Sequence, residues 1–149
     1  MTTRDDILSA VSAALAGIKT ASGYSSNLGS NVYDWDAMMD VMDRDFTSSI
    51  FMLDESYEYD NEECVTADKQ SMTLLIKIIP GIKDSKIAIL RNMRADVNKA
   101  LKANEDSIYA AGAQYIKNEK AEYDLHKESL AIIGMTVKIR IEFITPKWE

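Results

Sequence analysis

A run of alternating apolar and polar residues near the carboxyl end constrains the fold of this chain more than any other feature. The run occupies residues 131–144, and its apolar positions are Ile133, Met135, Val137, Ile139, Ile141 and Phe143. A period of two is typical of a β-strand with one buried face. Fourteen extended residues span roughly 46 Å, whereas a domain of this size is roughly 38 Å across. We expect either a bulge at Gly134 that bends the strand, or pairing with another molecule along an exposed strand edge.

Further strands are predicted upstream of this run. Residues 70–79 alternate in the same way, with the apolar face Met72, Leu74, Ile76 and Ile78, and Pro80-Gly81 ends them. Residues 31–35 and 48–53 are predicted as short strands. Residues 114–125 are charged and are predicted as an exposed strand or hairpin arm.

Two amphipathic helices are predicted, within residues 1–20 and at 84–102. Thr3 is the expected cap of the first helix, with Asp6 three residues later. In the second helix, Asp84 or Ser85 is the expected cap, and Asn104 the expected left-handed closing residue. Its apolar stripe is Ile87, Leu90, Met93, Val97 and Leu101, and Asp96 falls largely away from that stripe. Residues 36–46 fit a helical turn or an ordered loop, and residues 105–111 a connector with a helical turn.

This order of elements predicts an α+β fold in a single domain, residues 1–149. A largely antiparallel sheet carries both helices on one face and includes the long carboxyl-terminal strand. No signal peptide and no bilayer-spanning segment is expected. The lone Cys64 excludes an internal disulfide and favours a reducing, intracellular place of synthesis.

Charge is distributed unevenly along the chain. Residues 34–63 hold eleven acids and one base, Arg44, whereas the remaining residues hold thirteen acids and sixteen bases. The densest part, residues 54–63, is predicted as an acidic loop or hairpin arm. Such a segment disfavours binding to a phosphate backbone and fits contact with another protein or another copy of this one. A solvated acidic loop is the alternative.

Residues with catalytic or metal-binding potential are few. The single histidine, His126, cannot form a histidine metal site alone and is predicted to be an exposed loop residue. Acids close to Cys64 should raise the pKa of its thiol, which makes it a poor nucleophile. The acids of residues 34–45 could offer oxygen ligands to calcium or magnesium, but they lack the glycine and the closing glutamate of an EF-hand loop. No enzymatic activity and no cofactor is expected.

The order of segments resembles that of one protein family. Gly29-Ser30-Asn31-Val32-Tyr33 after a helix, and then Ser49-Ile50-Phe51-Met52-Leu53 before a polar arm, are similar to the opening of the tail terminator (tail completion) proteins of long-tailed bacteriophages. Residues 74–79, the turn at Pro80-Gly81, the helix with residues 94–101 and the ending at 130–147 also resemble this family. The chain departs from it before Ile50, where members often carry a proline and Phe46-Thr47-Ser48-Ser49 stands here.

The resemblance implies a structural role in the virion. Such proteins form a hexameric ring that caps the tail tube, stops its polymerisation and presents the surface for head–tail joining. Expected partners are further copies of the chain, the tail tube protein and a head-completion or neck protein, with DNA passing through the lumen without specific binding and no membrane. Expected localisation is the head-proximal end of the tail, after assembly in the host cytoplasm.

The charge split and the long strand together predict interface residues for such a ring. The predicted subunit, tube or neck interface comprises Asp54, Glu55, Glu58, Asp60, Glu62, Glu63, Lys138, Arg140, Lys147 and Trp148. Three alternatives remain: a neck or head-closure protein of the same junction, a small carboxylate-based metal-binding or hydrolase domain, and an unspecialised α+β binding domain.

Overall fold

The computed structural model describes residues 2–41, 47–60, 67–81, 86–129 and 132–146. Its helices are α1 (Thr3–Ala16), α2 (Met38–Val41), α3 (Ile87–Ala103) and α4 (Glu105–Ala110), and its strands are β1 (Val32–Asp34), β2 (Ser49–Asp60), β3 (Ala67–Ile79), β4 (Ala113–Leu125) and β5 (Ile132–Pro146). Short 3₁₀ turns lie at Thr20–Ser22, Leu28–Ser30 and Trp35–Ala37.

The strands form one five-stranded sheet in the order β1-β2-β3-β5-β4. β1 runs parallel to β2, and all other neighbours are antiparallel. The helix content, the largely antiparallel sheet and the long β5 confirm the predicted α+β class.

α1 and α3 lie on the same face of the sheet and share one core with it. The fully buried positions of β3 are the alternating set that the sequence predicts, Met72, Leu74, Ile76 and Ile78. On α3, Leu90, Met93 and Val97 are buried in the same cluster, whereas Ile87 at the first turn is 44% exposed. Burial of alternate strand positions against helical stripes therefore accounts for the two-layer arrangement.

The cap of α1 lies one residue earlier than predicted. Thr2, and not Thr3, is the N-cap: the Thr2 hydroxyl accepts a hydrogen bond from the backbone N–H of Asp5 at 3.2 Å, and the Asp5 carboxylate accepts one from the Thr2 backbone N–H at 3.2 Å. The Thr2 hydroxyl also donates to that carboxylate at 2.7 Å. These hydrogen bonds from Thr2 hold the pKa of Asp5 below its usual value.

The ends of α3 also differ in part from expectation. The described helix begins at Ile87, and both predicted capping residues, Asp84 and Ser85, lie outside the described residues. Asn104 does not adopt the left-handed conformation, because its φ is −110°. Its side-chain amide instead donates to the carbonyl of Ala100 at 2.8 Å, which satisfies a helix-terminal acceptor. The predicted helical turn after it is confirmed as α4.

The expectation that β5 presents an exposed edge is wrong. β5 lies between β3 and β4, and each of its ends is paired to one of them: residues 144–146 to β3, and residues 132–134 to β4. The alternative expectation, a bulge at Gly134, is confirmed by a register shift where Gly134 faces Asp124 and Ile132 faces Leu125. A Cβ atom at Gly134 would lie 2.6 Å from the carbonyl oxygen of Ile78, so only glycine fits there without a shift of the backbone.

The acidic segment of the sequence is partly strand. β2 continues through residues 54–60, all paired with β3 except at a shift between Asp54 and Ser56. Of the ambiguous residues 36–46, the first six form the end of a 3₁₀ turn and α2, and the rest lie outside the described residues.

Candidate subunit interface on the sheet

One face of the sheet, which we call the open face, lies opposite α1 and α3. Its side chains include Ser56 on β2, Thr73 on β3, Arg140 on β5 and Lys117 on β4, which form a row across the strands. At one end of this face the ring of Tyr33 stacks on Phe51, with 5.7 Å between the ring centroids. The remainder is mostly polar and partly exposed, and it also carries the apolar side chains of Leu53, Leu75 and Ile144.

Ion pairs on the open face join several of the residues that are predicted from the sequence to lie at an interface. Lys138 Nζ lies 3.8 Å from Glu55, and the Arg140 guanidinium lies 3.7 Å from both Glu58 and Glu142. The Glu58 side chain is 73% exposed, so its pair contributes at most about 1 kcal/mol to stability. Lys138 and Arg140 thus pair with Glu55 and Glu58 within one chain, and the exposed carboxylates keep further capacity to accept hydrogen bonds.

Four bases form a compact block on β4 and β5. Lys117 lies directly opposite Arg140, and Lys120 lies directly opposite Lys138. Like charges in facing positions destabilise a strand pair. Lys120 pairs with Glu122 at 3.1 Å, whereas Lys117 makes no ion pair with a described residue. No pattern in the sequence singles out Lys117 and Lys120, because only the register of β4 against β5 brings them beside Arg140 and Lys138.

Asp54 faces the opposite side of the sheet from Glu55 and Glu58. Its carboxylate accepts a short hydrogen bond from the hydroxyl of Tyr57, and the Arg4 guanidinium lies 4.7 Å from the Tyr57 ring centroid. Burial, followed by the hydrogen bond to Asp54, raises the pKa of the Tyr57 phenol. The acidic arm therefore does not present a single acidic surface.

The side chains of the other residues predicted at the interface lie outside the part of the chain that the structure describes. Asp60 ends β2, but its side chain is outside the described set. Glu62, Glu63, Lys147 and Trp148 also lie outside the described residues. Their place at an interface stays a prediction.

Besides the three-residue edge strand β1, two longer stretches of strand edge are unpaired in the described part of the chain. β1 covers β2 only at residues 50–52, so residues 53–60 have no strand on their outer side. On the far side of the sheet, β4 is the edge strand along all of its 13 residues. Unpaired N–H and C=O groups on such edges are templates for pairing with another chain.

Asp96 is buried, contrary to the prediction that it falls away from the apolar stripe of α3. It is 3% exposed, and its carboxylate accepts hydrogen bonds from the backbone N–H of Ser25 at 3.0 Å and from the hydroxyls of Ser25 and Ser26 at 2.9 and 2.6 Å. The two serines also line a cavity of about 470 Å³ between this loop and α3. Asp96 thus attaches the loop before β1 to the core helix.

Acidic side chains also line a groove of about 620 Å³ between α1 and the first two strands. Asp5, Asp34 and Asp54 stand above an apolar floor that includes Leu8 and Met52. Within the described ranges, no three His, Cys, Asp or Glu side chains come together in a way that could hold a metal ion.

The single histidine lies in the turn between β4 and β5. His126 is exposed, as predicted, and its Nδ1 accepts backbone N–H groups of Glu128 and Ser129 at 3.3 and 3.4 Å. These contacts order the turn. Cys64 lies outside the described residues.

No protein-family model matches this chain, and no curated protein matches its sequence at a significant level. In the part of the chain that the structure describes, no helix combines the length and apolar character needed to cross a bilayer. The function must therefore be inferred from the residues and the geometry of the subunit.

Proposed function

We propose that this chain is a structural virion protein that closes into a ring on the end of a phage tail tube, stops tube growth and offers a surface for head–tail joining. The observation that carries the proposal is the pair of unpaired strand edges on opposite sides of one sheet. A contact between two different edges is heterologous, and it repeats from copy to copy until the rotation closes it into a ring. The resemblance in the order of segments supplies the tail terminator role.

The observed strand order also changes which strands we expect to form the contact between copies. The long β5 is internal, so it does not protrude toward a neighbour. The neighbouring copy must meet β4 on one side and β2 on the other. The inner strands then act as a rigid sheet between two contacts, which suits a ring component with no moving part.

The test of this proposal is purified protein added to growing tail tubes. We expect the protein to stop elongation and electron microscopy to show a ring with an axial hole at the tube end. Tubes that grow to the same length with and without the protein contradict the proposal. Binding to filled heads without tubes would instead identify a head-closure protein, and micromolar binding of calcium or magnesium in a calorimetric titration would favour a metal-binding domain.

A further inference from the structure

The two free edges run in opposite directions, which defines how copies can join. β2 is antiparallel to β3, β3 to β5, and β5 to β4, so β4 is antiparallel to β2. A neighbour placed by a sideways step along the sheet keeps its strand directions. Its β2 therefore meets β4 as an antiparallel partner, and the sheet can continue across the contact.

The charged side chains select the register of this contact. On the open face of β4, Lys117 and Lys120 are three residues apart, and on β2 the exposed Glu55 and Glu58 are also three residues apart. Antiparallel pairing with Lys117 opposite Glu58 places Lys120 opposite Glu55. Lys117 and Lys120, which face Arg140 and Lys138 within their own subunit, then each gain an acid from the neighbour.

This register also keeps the apolar side chains on matching faces. Ile116 and Tyr59 both lie on the helix-bearing face and become partners, so that Tyr59, 52% exposed in the single subunit, gains an apolar neighbour. A slip of one residue places every side chain against one from the other face.

Slips of two residues give poorer pairings. In one direction Lys117 meets Ser56 and Lys120 meets Leu53, so both charge pairs are lost. In the other direction Lys117 meets Asp60, but Lys120 meets Tyr57 from the opposite face, and Glu119 meets Glu58 and Glu122 meets Glu55, which sets acid against acid. Among these pairings, the register with Lys117 opposite Glu58 therefore gives the best match of both charge and sheet face.

We propose that the occupant of the β4 edge is a second copy of this chain, whose residues 53–60 pair antiparallel to residues 115–122 with Lys117 opposite Glu58. This inference rests on the proposed ring and specifies its subunit contact. The free stretch of β2 is eight residues long, and β4 covers its whole length. The pairing turns the separate sheets of the copies into one continuous sheet around the ring.

The experiment uses cysteine pairs in the full chain with Cys64→Ser. In one subunit β2 and β4 are three strand spacings apart, about 14 Å, which is too far for a disulfide. A bond between Lys117→Cys and Glu58→Cys must therefore join two chains. We expect mild oxidation of the double variant to give a ladder of linked chains up to the copy number of the ring.

Controls separate this contact from chance collision and from failure of the ring itself. Lys117→Cys with Arg91→Cys, on the exposed side of α3, should give no ladder. Rings seen by electron microscopy without the Lys117–Glu58 ladder overturn the pairing alone. Chains that remain monomeric both in solution and on tubes overturn the proposed function.

Charge reversal gives a second readout that does not need a disulfide. Lys117→Glu sets acid against Glu58 and should weaken ring assembly about tenfold or more in sedimentation. Adding Glu58→Lys should restore assembly, whereas Lys102→Glu on α3 should leave it unchanged. Loss of assembly by Lys117→Glu without rescue by Glu58→Lys rejects the facing pair.

Discussion

Alanine at Gly29 is expected to lower the free energy of unfolding by about 3 kcal/mol. The Gly29 N–H donates to the carbonyl of Ile18 at 2.8 Å, so the loop before β1 lies directly against the end of α1. A Cβ atom at Gly29 would stand 2.3 Å from the carbonyl oxygen of Ala16 and 2.7 Å from the backbone nitrogen of Ile18. Because these neighbours are backbone atoms, no side-chain rotation can relieve the overlap.

The matched control is Gly17→Ala at the end of the same helix. Gly17 has right-handed φ and ψ of −78° and −6°, and its Cβ would lie 3.3 Å from the carbonyl oxygen of Ala14. We expect its effect to stay within about 1 kcal/mol in urea unfolding. Gly29→Ala should lower the melting temperature by roughly 6–12 °C in a chain of this length. Equal stability of both variants would contradict the close approach at Gly29.

Removal of the Asp96 carboxylate is expected to have an effect of similar size. Asp96→Ala removes the carboxylate that accepts three hydrogen bonds. The donors of Ser25 and Ser26 then lose their acceptor in a partly buried site. Hydrogen bonds to a charged group contribute about 1.5–3 kcal/mol, so we expect a loss of about 3 kcal/mol in the free energy of unfolding. Chemical denaturation monitored by circular dichroism measures it.

Two variants distinguish the carboxylate network from simple loss of helix packing. Ser26→Ala deletes one of the three donors and should cost about 1–2 kcal/mol. Asp106→Ala removes an exposed acid on α4 and should change stability by less than about 0.5 kcal/mol. If Asp96→Ala were as mild as Asp106→Ala, the attachment of the loop to α3 through Asp96 would be refuted.

Both sites act on the same part of the fold. Gly29 and Asp96 hold the loop that leads into β1, and β1 covers residues 50–52 of β2. The length of β2 left open to a neighbour depends on where β1 ends. Variants that loosen this loop but remain folded are therefore useful in assembly experiments as well as in unfolding.

Hydrophobic periodicity predicted the principal elements correctly. The alternation in β3 and β5 and the stripe of α3 produce most of the buried faces that the structure shows, although Ile133 and Ile87 are 47% and 44% exposed. The α1 cap was predicted one residue late, because Thr2 with Asp5 and Thr3 with Asp6 have the same spacing. Local spacing alone does not discriminate between them.

Asp96 shows why a helical pattern misjudges a buried charge. It lies three residues after Met93 and four before Ala100, both buried, so it stands at the border of the stripe. A carboxylate at such a position is expected in solvent unless donors reach it. Its donors are about 70 residues earlier in the chain, so no local sequence pattern indicates them.

The sequence by itself determined which residues alternate, which faces are apolar and that acids gather around β2, because these properties depend on side chains a few positions apart. Only the tertiary structure decided that β5 is internal, that β4 and residues 53–60 are the free edges, and that Lys117 stands beside Arg140. Strand order joins residues far apart in the chain, and the same pattern of apolar positions fits an inner strand or an edge strand. The partner of a strand therefore depends on the packing of the whole sheet, and so does the surface that remains for another copy.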